Sequence, residues 1–191
     1  MPRLSTDGGP GRTVESAKGG KGLWARLLAL DGNLTERLRL PPGPERALAL
    51  FVAHSGDSPL WLAVGGAAWL WGNPSIKVLG IRVLVANLAG AAAATLLKWT
   101  FRRRRPGPAF AALYTRLDRM SFPSGHATRL GCMVVLLAPL VPGWGTAALA
   151  VWACAVAWAR VALGVHYLSD VLAGLIFGLV LGGLGRAVPW G

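Results

Sequence analysis

Apolar runs long enough to cross a bilayer, separated by short polar clusters, limit what this chain can fold into more than any other feature. At ~1.5 Å of rise per residue, about 20 helical residues cover the ~30 Å hydrocarbon core. Such runs fall at about 46–71, 76–99 and 124–140, then in a stretch ending near Leu163, and finally at about 168–187. Gly72-Asn73-Pro74 and Pro142-Gly143-Trp144-Gly145 supply the turns between them. The expected fold is all-α: an integral-membrane helical bundle of about five spans, with sequential helices as antiparallel neighbours.

Composition agrees with that reading. A content of 53% hydrophobic against 15% charged residues is unusual for a soluble domain. Gly and Ala crowd the apolar runs, as where helices pack closely in lipid, and nine Trp suit the membrane interface. A formal charge of +12 raises the question of nucleic acid. The cations, however, sit in short stretches flanking apolar runs, which suits anionic headgroups or a phosphate-bearing ligand, so no nucleic-acid partner is expected. Cys132 and Cys154 match no metal spacing and read as small packing residues.

In chain order, residues 1–22 are expected to form a disordered tail. They lack the apolar centre of a signal peptide, so the chain is expected to keep its own N-terminus. Residues 23–44 mix apolar and charged side chains and end in prolines. They read either as an amphipathic segment in the headgroup layer or as an ordinary amphipathic helix packed on protein, and we expect the former. Residues 45–191 form the membrane-embedded domain. Within it Ala47–Ala53 and Pro59–Trp71 are separated by His54-Ser55-Gly56-Asp57. The second part alone would reach only about 20 Å, so the two are read as one span kinked near Gly56 and Pro59. His54 and Asp57 then lie part-way into lipid, where ionisable groups are costly. Either they pair or cap the kink, or the first part lies at the interface.

Three polar clusters interrupt the apolar pattern: Lys98 with Arg105-Pro106, then Ser121 to His126, then Arg160, His166 and Asp170. Alternating spans bring all three to one membrane face. Lys98, Arg105 and Arg160 are cationic donors, and the Arg fork suits phosphate oxygens. Pro123-Ser124-Gly125 opens a helix whose unpaired N–H groups and dipole favour an anion; Ser124 adds a hydroxyl and Gly125 allows close backbone approach. His126 and His166 are candidates for a nucleophile and a proton donor. If one helix runs through both, Asp170 shares a face with His166 and can fix its tautomer. Two histidines and one acid among so many cations are too few to hold a metal, so no metal or other cofactor is expected.

Taken together, Lys98 and Arg105-Pro106, Pro123-Ser124-Gly125-His126, and Arg160, His166 and Asp170 resemble the signature of the type 2 phosphatidic acid phosphatase superfamily. The motifs span 98–170, and the surrounding helices extend the resemblance to about 46–187. The family's third motif usually begins Ser-Arg, whereas here it is Ala159-Arg160, and members usually have six spans, the first here replaced by the amphipathic region. The resemblance implies a membrane phosphatase acting on a lipid phosphate or polyprenyl (di)phosphate in a bacterial inner membrane. It further implies that His166 attacks phosphorus to form a phosphohistidine, Asp170 orients it, and His126 protonates the leaving oxygen and then activates water. Lys98, Arg105, Ser124, Gly125 and Arg160 would hold the phosphoryl oxygens, with a lipid phosphate and the surrounding membrane lipids as partners. The alternatives are a non-catalytic lipid-phosphate-binding protein and a vanadate-dependent peroxidase. An excess of Lys and Arg beside the clusters and in the N-terminal segment predicts a cytoplasmic active face.

Overall fold

A computed structural model gives the structure of the protein, and it describes residues 22–106 and 120–188. The tail expected over 1–22 falls outside the described residues except for Gly22. Among the described residues seven α-helices follow in order: α1 Leu23–Arg37, α2 Pro44–Ser55, α3 Ser58–Trp71, α4 Pro74–Phe101, α5 Gly125–Leu137, α6 Gly143–Ala162 and α7 Leu168–Arg186. A short 3-10 turn, Ala138–Leu140, extends α5. Among the described residues the only extended pairing is a single bridge between Arg104 and Met120.

Helix ends fall where the sequence chemistry puts them. Proline occupies the first turn of α2, α3 and α4, where its missing N–H leaves no intrahelical partner unpaired. Asn73 caps α4 by accepting from the Ile76 N–H at 3.0 Å. The first apolar run is indeed broken, α2 and α3 meeting at a bend of 42°. By length and composition α4, α6 and α7 can each cross a membrane, and the bent pair makes a fourth if it is one span. The run at 124–140 forms an apolar helix shorter than these, so the described residues offer three or four candidate spans and the expected count of five is not confirmed.

That shorter helix is the centre of the bundle. Most of α5 is buried, from His126 through Met133, with α4, α6 and α7 packed around it. Its Leu130, Met133 and Leu136 meet Val83 and Ala86 of α4 and Ala153 and Val156 of α6 in the main core. Against α7 the contact is made by small residues. Gly174, Gly178 and Gly182 recur every fourth position and are buried, which lets the two backbones approach closely. The outward faces carry exposed Leu88, Leu96, Val151, Ile176, Leu179 and Val180, an apolar exterior suited to lipid. Cys132 is buried in the core, whereas Cys154 is exposed and so is not the packing residue expected from sequence.

α1 differs from the rest. Its Leu23, Trp24, Leu27, Leu28 and Leu30 are exposed, and only Thr35 is buried. It meets the bundle through polar atoms: Thr35 Oγ1 accepts from the Leu168 N–H at 3.0 Å, and Asp31 Oδ1 accepts from the Ser169 N–H at 3.0 Å. Those N–H groups open α7 and have no acceptor within it.

A Cβ at position 178 would collide with the Thr128 carbonyl oxygen and the Cys132 backbone nitrogen, whereas one at 183 would meet open space. Gly178→Val is expected to lower stability by about 1–3 kcal/mol or more, as overpacking does, while Gly183→Val leaves it nearly unchanged. Thermal midpoints of the two variants in detergent test this; equal midpoints would show that the α5–α7 approach does not depend on glycine.

Candidate active site

The three polar clusters converge because three helix ends are tied together by backbone hydrogen bonds. α4 closes at Arg102, which takes a left-handed conformation (φ 48°) and donates its N–H to the Lys98 carbonyl at 2.9 Å. The chain then runs beside the residues before α5. The Ser121 N–H donates to the Arg103 carbonyl at 2.8 Å, and the Ser121 hydroxyl to the Arg104 carbonyl at 3.1 Å. Ser124 is the N-cap of α5, and its own N–H donates to the Asp170 carbonyl at 3.0 Å. After α6 the chain turns at Gly164 (φ 71°), a conformation glycine adopts without cost. The N–H groups of Val165 and His166 then both reach the Arg160 carbonyl, at 3.0 and 3.2 Å.

His166 lies in the junction before α7 rather than on it, so the condition that one helix runs through both His166 and Asp170 is not met. They meet because Asp170 turns back over the helix start. Its Oδ2 accepts from the Tyr167 N–H at 2.8 Å and faces His166 Nδ1 at 3.5 Å. At that distance the contact with His166 is electrostatic rather than a formed hydrogen bond, and Nδ1 has no hydrogen-bond partner. On the other side of the ring, Arg105 Nη1 lies 3.3 Å from Nε2 and donates to the Val165 carbonyl at 3.0 Å. A guanidinium can only donate, so Nε2 carries the lone pair and the proton belongs on Nδ1, toward Asp170. Burial pushes the His166 imidazole down to about 4, with Arg105 and Arg160 adding to the effect and Asp170 opposing it.

Arg103 supports this arrangement from behind. Its guanidinium donates to Asp170 Oδ1 at 2.9 Å, to Ser169 Oγ at 2.6 Å and to Asp31 Oδ2 at 2.6 Å, and it lies 3.8 Å from the Tyr167 ring centroid. Burial would raise the Asp31 carboxyl, but hydrogen bonds from Ser169 and Arg103 outweigh it and hold the group below the ordinary carboxylate range.

His126 is the second residue of α5 and is buried. Its Nε2 is 2.8 Å from Asp57 Oδ1, while Asp57 Oδ2 is 2.7 Å from His54 Nδ1. Lys98 and Arg160 are buried, and Arg160 is felt electrostatically by both His126 and His166. Arg129, buried on α5, donates to the Gly56 carbonyl at 3.3 Å. Among the described residues no group of three or more His, Cys, Asp or Glu is gathered as a metal site.

The sequence-derived residues are thus drawn toward one face, but the reading missed several of their partners. Arg103 was one of four consecutive arginines with nothing to single it out. Asp31 was an unremarked acid in an amphipathic helix. Asp57 did carry a signal, since an acid beside a helix break in an apolar run needs a partner.

The sequence pattern of the PAP2 superfamily matches residues 79–190. The decaprenylphosphoryl-5-phosphoribose phosphatase of Mycolicibacterium smegmatis is 35% identical over 151 residues, covering 78% of this chain and 79% of that protein. The lipid A 1-phosphatase of Rhizobium johnstonii is 39% identical over 161 residues, 72% of this chain and 65% of that protein. In fold, the chain is similar to the crystal structure of a transmembrane PAP2-type phosphatidylglycerolphosphate phosphatase from Bacillus subtilis. The TM-score is 0.66 and the identity 25%, with 85% of each chain covered. A match over more than half the chain, joined by relatives of this identity and extent, settles the family: the protein belongs to the PAP2 superfamily of phosphatases.

Proposed function

We propose that the protein hydrolyses a polyprenyl-type lipid phosphate through a phosphohistidine at His166. The observation that carries this reading is the setting of the His166 ring, with Arg105 at Nε2 and Asp170 facing Nδ1. That setting directs the basic lone pair of Nε2 to the side where the cations stand. A substrate phosphate is a stronger acceptor for the guanidinium than an imidazole nitrogen. It would draw Arg105 away and free Nε2 to attack phosphorus.

As the P–N bond forms, the ester P–O bond breaks, and the departing oxygen takes a proton from His126. Neutral His126 then accepts a proton from water, whose oxygen attacks phosphorus as the P–N bond breaks and phosphate leaves. Lys98, Arg105, Arg160, the Ser124 hydroxyl and the backbone at Gly125 would stabilise charge on the phosphoryl oxygens. These fixed cations take the part that metal ions play in other phosphoryl transfers.

Support for this lipid class comes from the relative named for a decaprenylphosphoryl compound and from an apolar cavity of about 480 Å³ beside the site. It is lined by Trp24, Leu27, Leu28, Phe101 and Phe122, with Arg103 among its few polar residues. The exposed apolar side chains of α1 suit an interfacial helix forming one wall of this entrance.

His166→Ala and His126→Ala are each expected to lower kcat by roughly 10²–10⁴-fold or more with the protein still folded. Asp170→Asn is expected to be severe but less complete. Activity on a lipid phosphate should persist in EDTA and be inhibited competitively by vanadate. Wild-type rates in His166→Ala, or an EDTA loss restored by Mg²⁺, would contradict the reading.

We also propose that the active face is cytoplasmic. Arg103 and Arg129 leave the topological count because both are engaged inside the fold. Arg46 and Arg82, which donate to the Leu40 and Leu136 carbonyls, leave it for the same reason. Arg102, Arg104, Arg116 and Arg119, with Lys21, Arg26, Arg37 and Arg39 in the N-terminal segment, still outnumber Lys77 and Arg186 opposite. A cytoplasmic site favours a biosynthetic monophosphate over a carrier diphosphate recycled on the outer face. In a background lacking Cys132 and Cys154, Ala109→Cys should resist a membrane-impermeant maleimide in intact cells. Its labelling would put the site outside.

A further inference from the structure

Asp57 stands where an aspartate ordinarily caps a helix, yet it does not do so. It is the N-cap residue of α3, and no side-chain hydrogen bond caps that helix. Its carboxylate instead crosses to the start of α5, where Oδ1 lies 2.8 Å from His126 Nε2. The outer oxygen, Oδ2, takes the exposed His54.

The segment that delivers it is held firmly. Trp61 Nε1 donates to the Ser55 carbonyl at 2.7 Å, Trp152 Nε1 to the Ser55 hydroxyl at 2.8 Å, and Arg129 to the Gly56 carbonyl at 3.3 Å. Gly56 is close-packed as well, since a Cβ there would lie 2.7 Å from Val156. The break between α2 and α3 is therefore fixed from α3, α5 and α6.

The electrostatics give this contact a purpose. In the proposed reaction His126 must carry a proton to the leaving oxygen, so it must pass through an imidazolium. Its neighbours oppose that charge: it sits in the first turn of α5, where the helix dipole is positive, and Arg160 and Arg129 act on it electrostatically. Asp57 is the acid that faces it. A carboxylate accepts only, so Nε2 bears a proton directed at Asp57, and Nδ1 is left to exchange the other proton with substrate.

We infer that Asp57, from the break in the first apolar run, is the positioning residue of His126, so that the site contains two histidine–carboxylate pairs, His166 with Asp170 and His126 with Asp57. This rests on the reading of His126 as proton donor to the leaving group. Its consequence is specific: loss of Asp57 harms expulsion of a poor leaving group and spares a good one.

The test compares kcat/KM for two probes in the same detergent-purified preparation: dioctanoyl phosphatidic acid, with an alkoxide leaving group, and p-nitrophenyl phosphate, whose leaving group needs little protonation. Their ratio does not depend on how much of the variant is folded. For Asp57→Asn the lipid rate is expected to fall roughly 10²-fold relative to the p-nitrophenyl rate, within the range general-acid catalysis contributes. His126→Ala should shift the ratio the same way, and the double variant no further. His54→Ala should leave the ratio unchanged. A proportional loss on both substrates in Asp57→Asn, or additive losses in the double variant, would overturn the positioning role while leaving His126 as donor. An unshifted ratio in His126→Ala would instead overturn the donor reading itself.

Discussion

Asp170 is the joint on which the rest of the site depends. It is fully buried, yet each of its acceptor groups has a defined neighbour. The carbonyl receives the Ser124 N–H, Oδ1 receives Arg103, and Oδ2 receives the Tyr167 N–H while facing His166. One residue therefore links the loop after α4, the start of α5 and the junction before α7. A buried carboxylate without such partners would be strongly unfavourable, so losing the Arg103 or Tyr167 N–H contact would leave part of its charge uncompensated in the apolar interior. The same bonds that make the site make Asp170 tolerable.

The helix ends carry the remaining organisation. α7 begins with unpaired N–H groups, and two of them are satisfied by Thr35 and Asp31 of α1 rather than by α7's own sequence. Asp31 and Asp170 also place negative charge at the positive end of the α7 dipole, with Arg103 between them. α1 thus contributes to the bundle by polar capping while its apolar side chains face outward. Below this layer, glycines on α7 bring it against the backbone of α5, which holds Ser124 and His126 at a fixed depth relative to His166.

Much of this was legible from the chain alone. Apolar run length gave the helices, Gly and Pro placed the turns, and the kink near Gly56 and Pro59 is present as a bend of 42°. The Lys98–Arg105, Ser124 and His166 clusters meet at one end of the bundle, as the reversal of helix direction at each turn predicts. What the chain did not disclose were partners set by tertiary geometry. Asp31 and Arg103 are 72 residues apart, and Asp57 and His126 are 69 apart; no local period relates such pairs. The expected count of five spans is not confirmed, for the opposite reason. The run at 124–140 is apolar because α4, α6 and α7 bury α5, and apolarity alone does not tell burial in protein from exposure to lipid.

The central claim, that Nε2 of His166 takes the phosphoryl group, can be observed directly. Purified protein mixed with a ³²P-labelled polyprenyl phosphate and quenched with alkali within a turnover should retain label on the protein. The label should be acid-labile and alkali-stable, as a phosphorus–nitrogen bond is, should map to the peptide containing His166, and should be absent from His166→Ala. Label on another residue, or none under conditions where phosphate is released, would contradict the account.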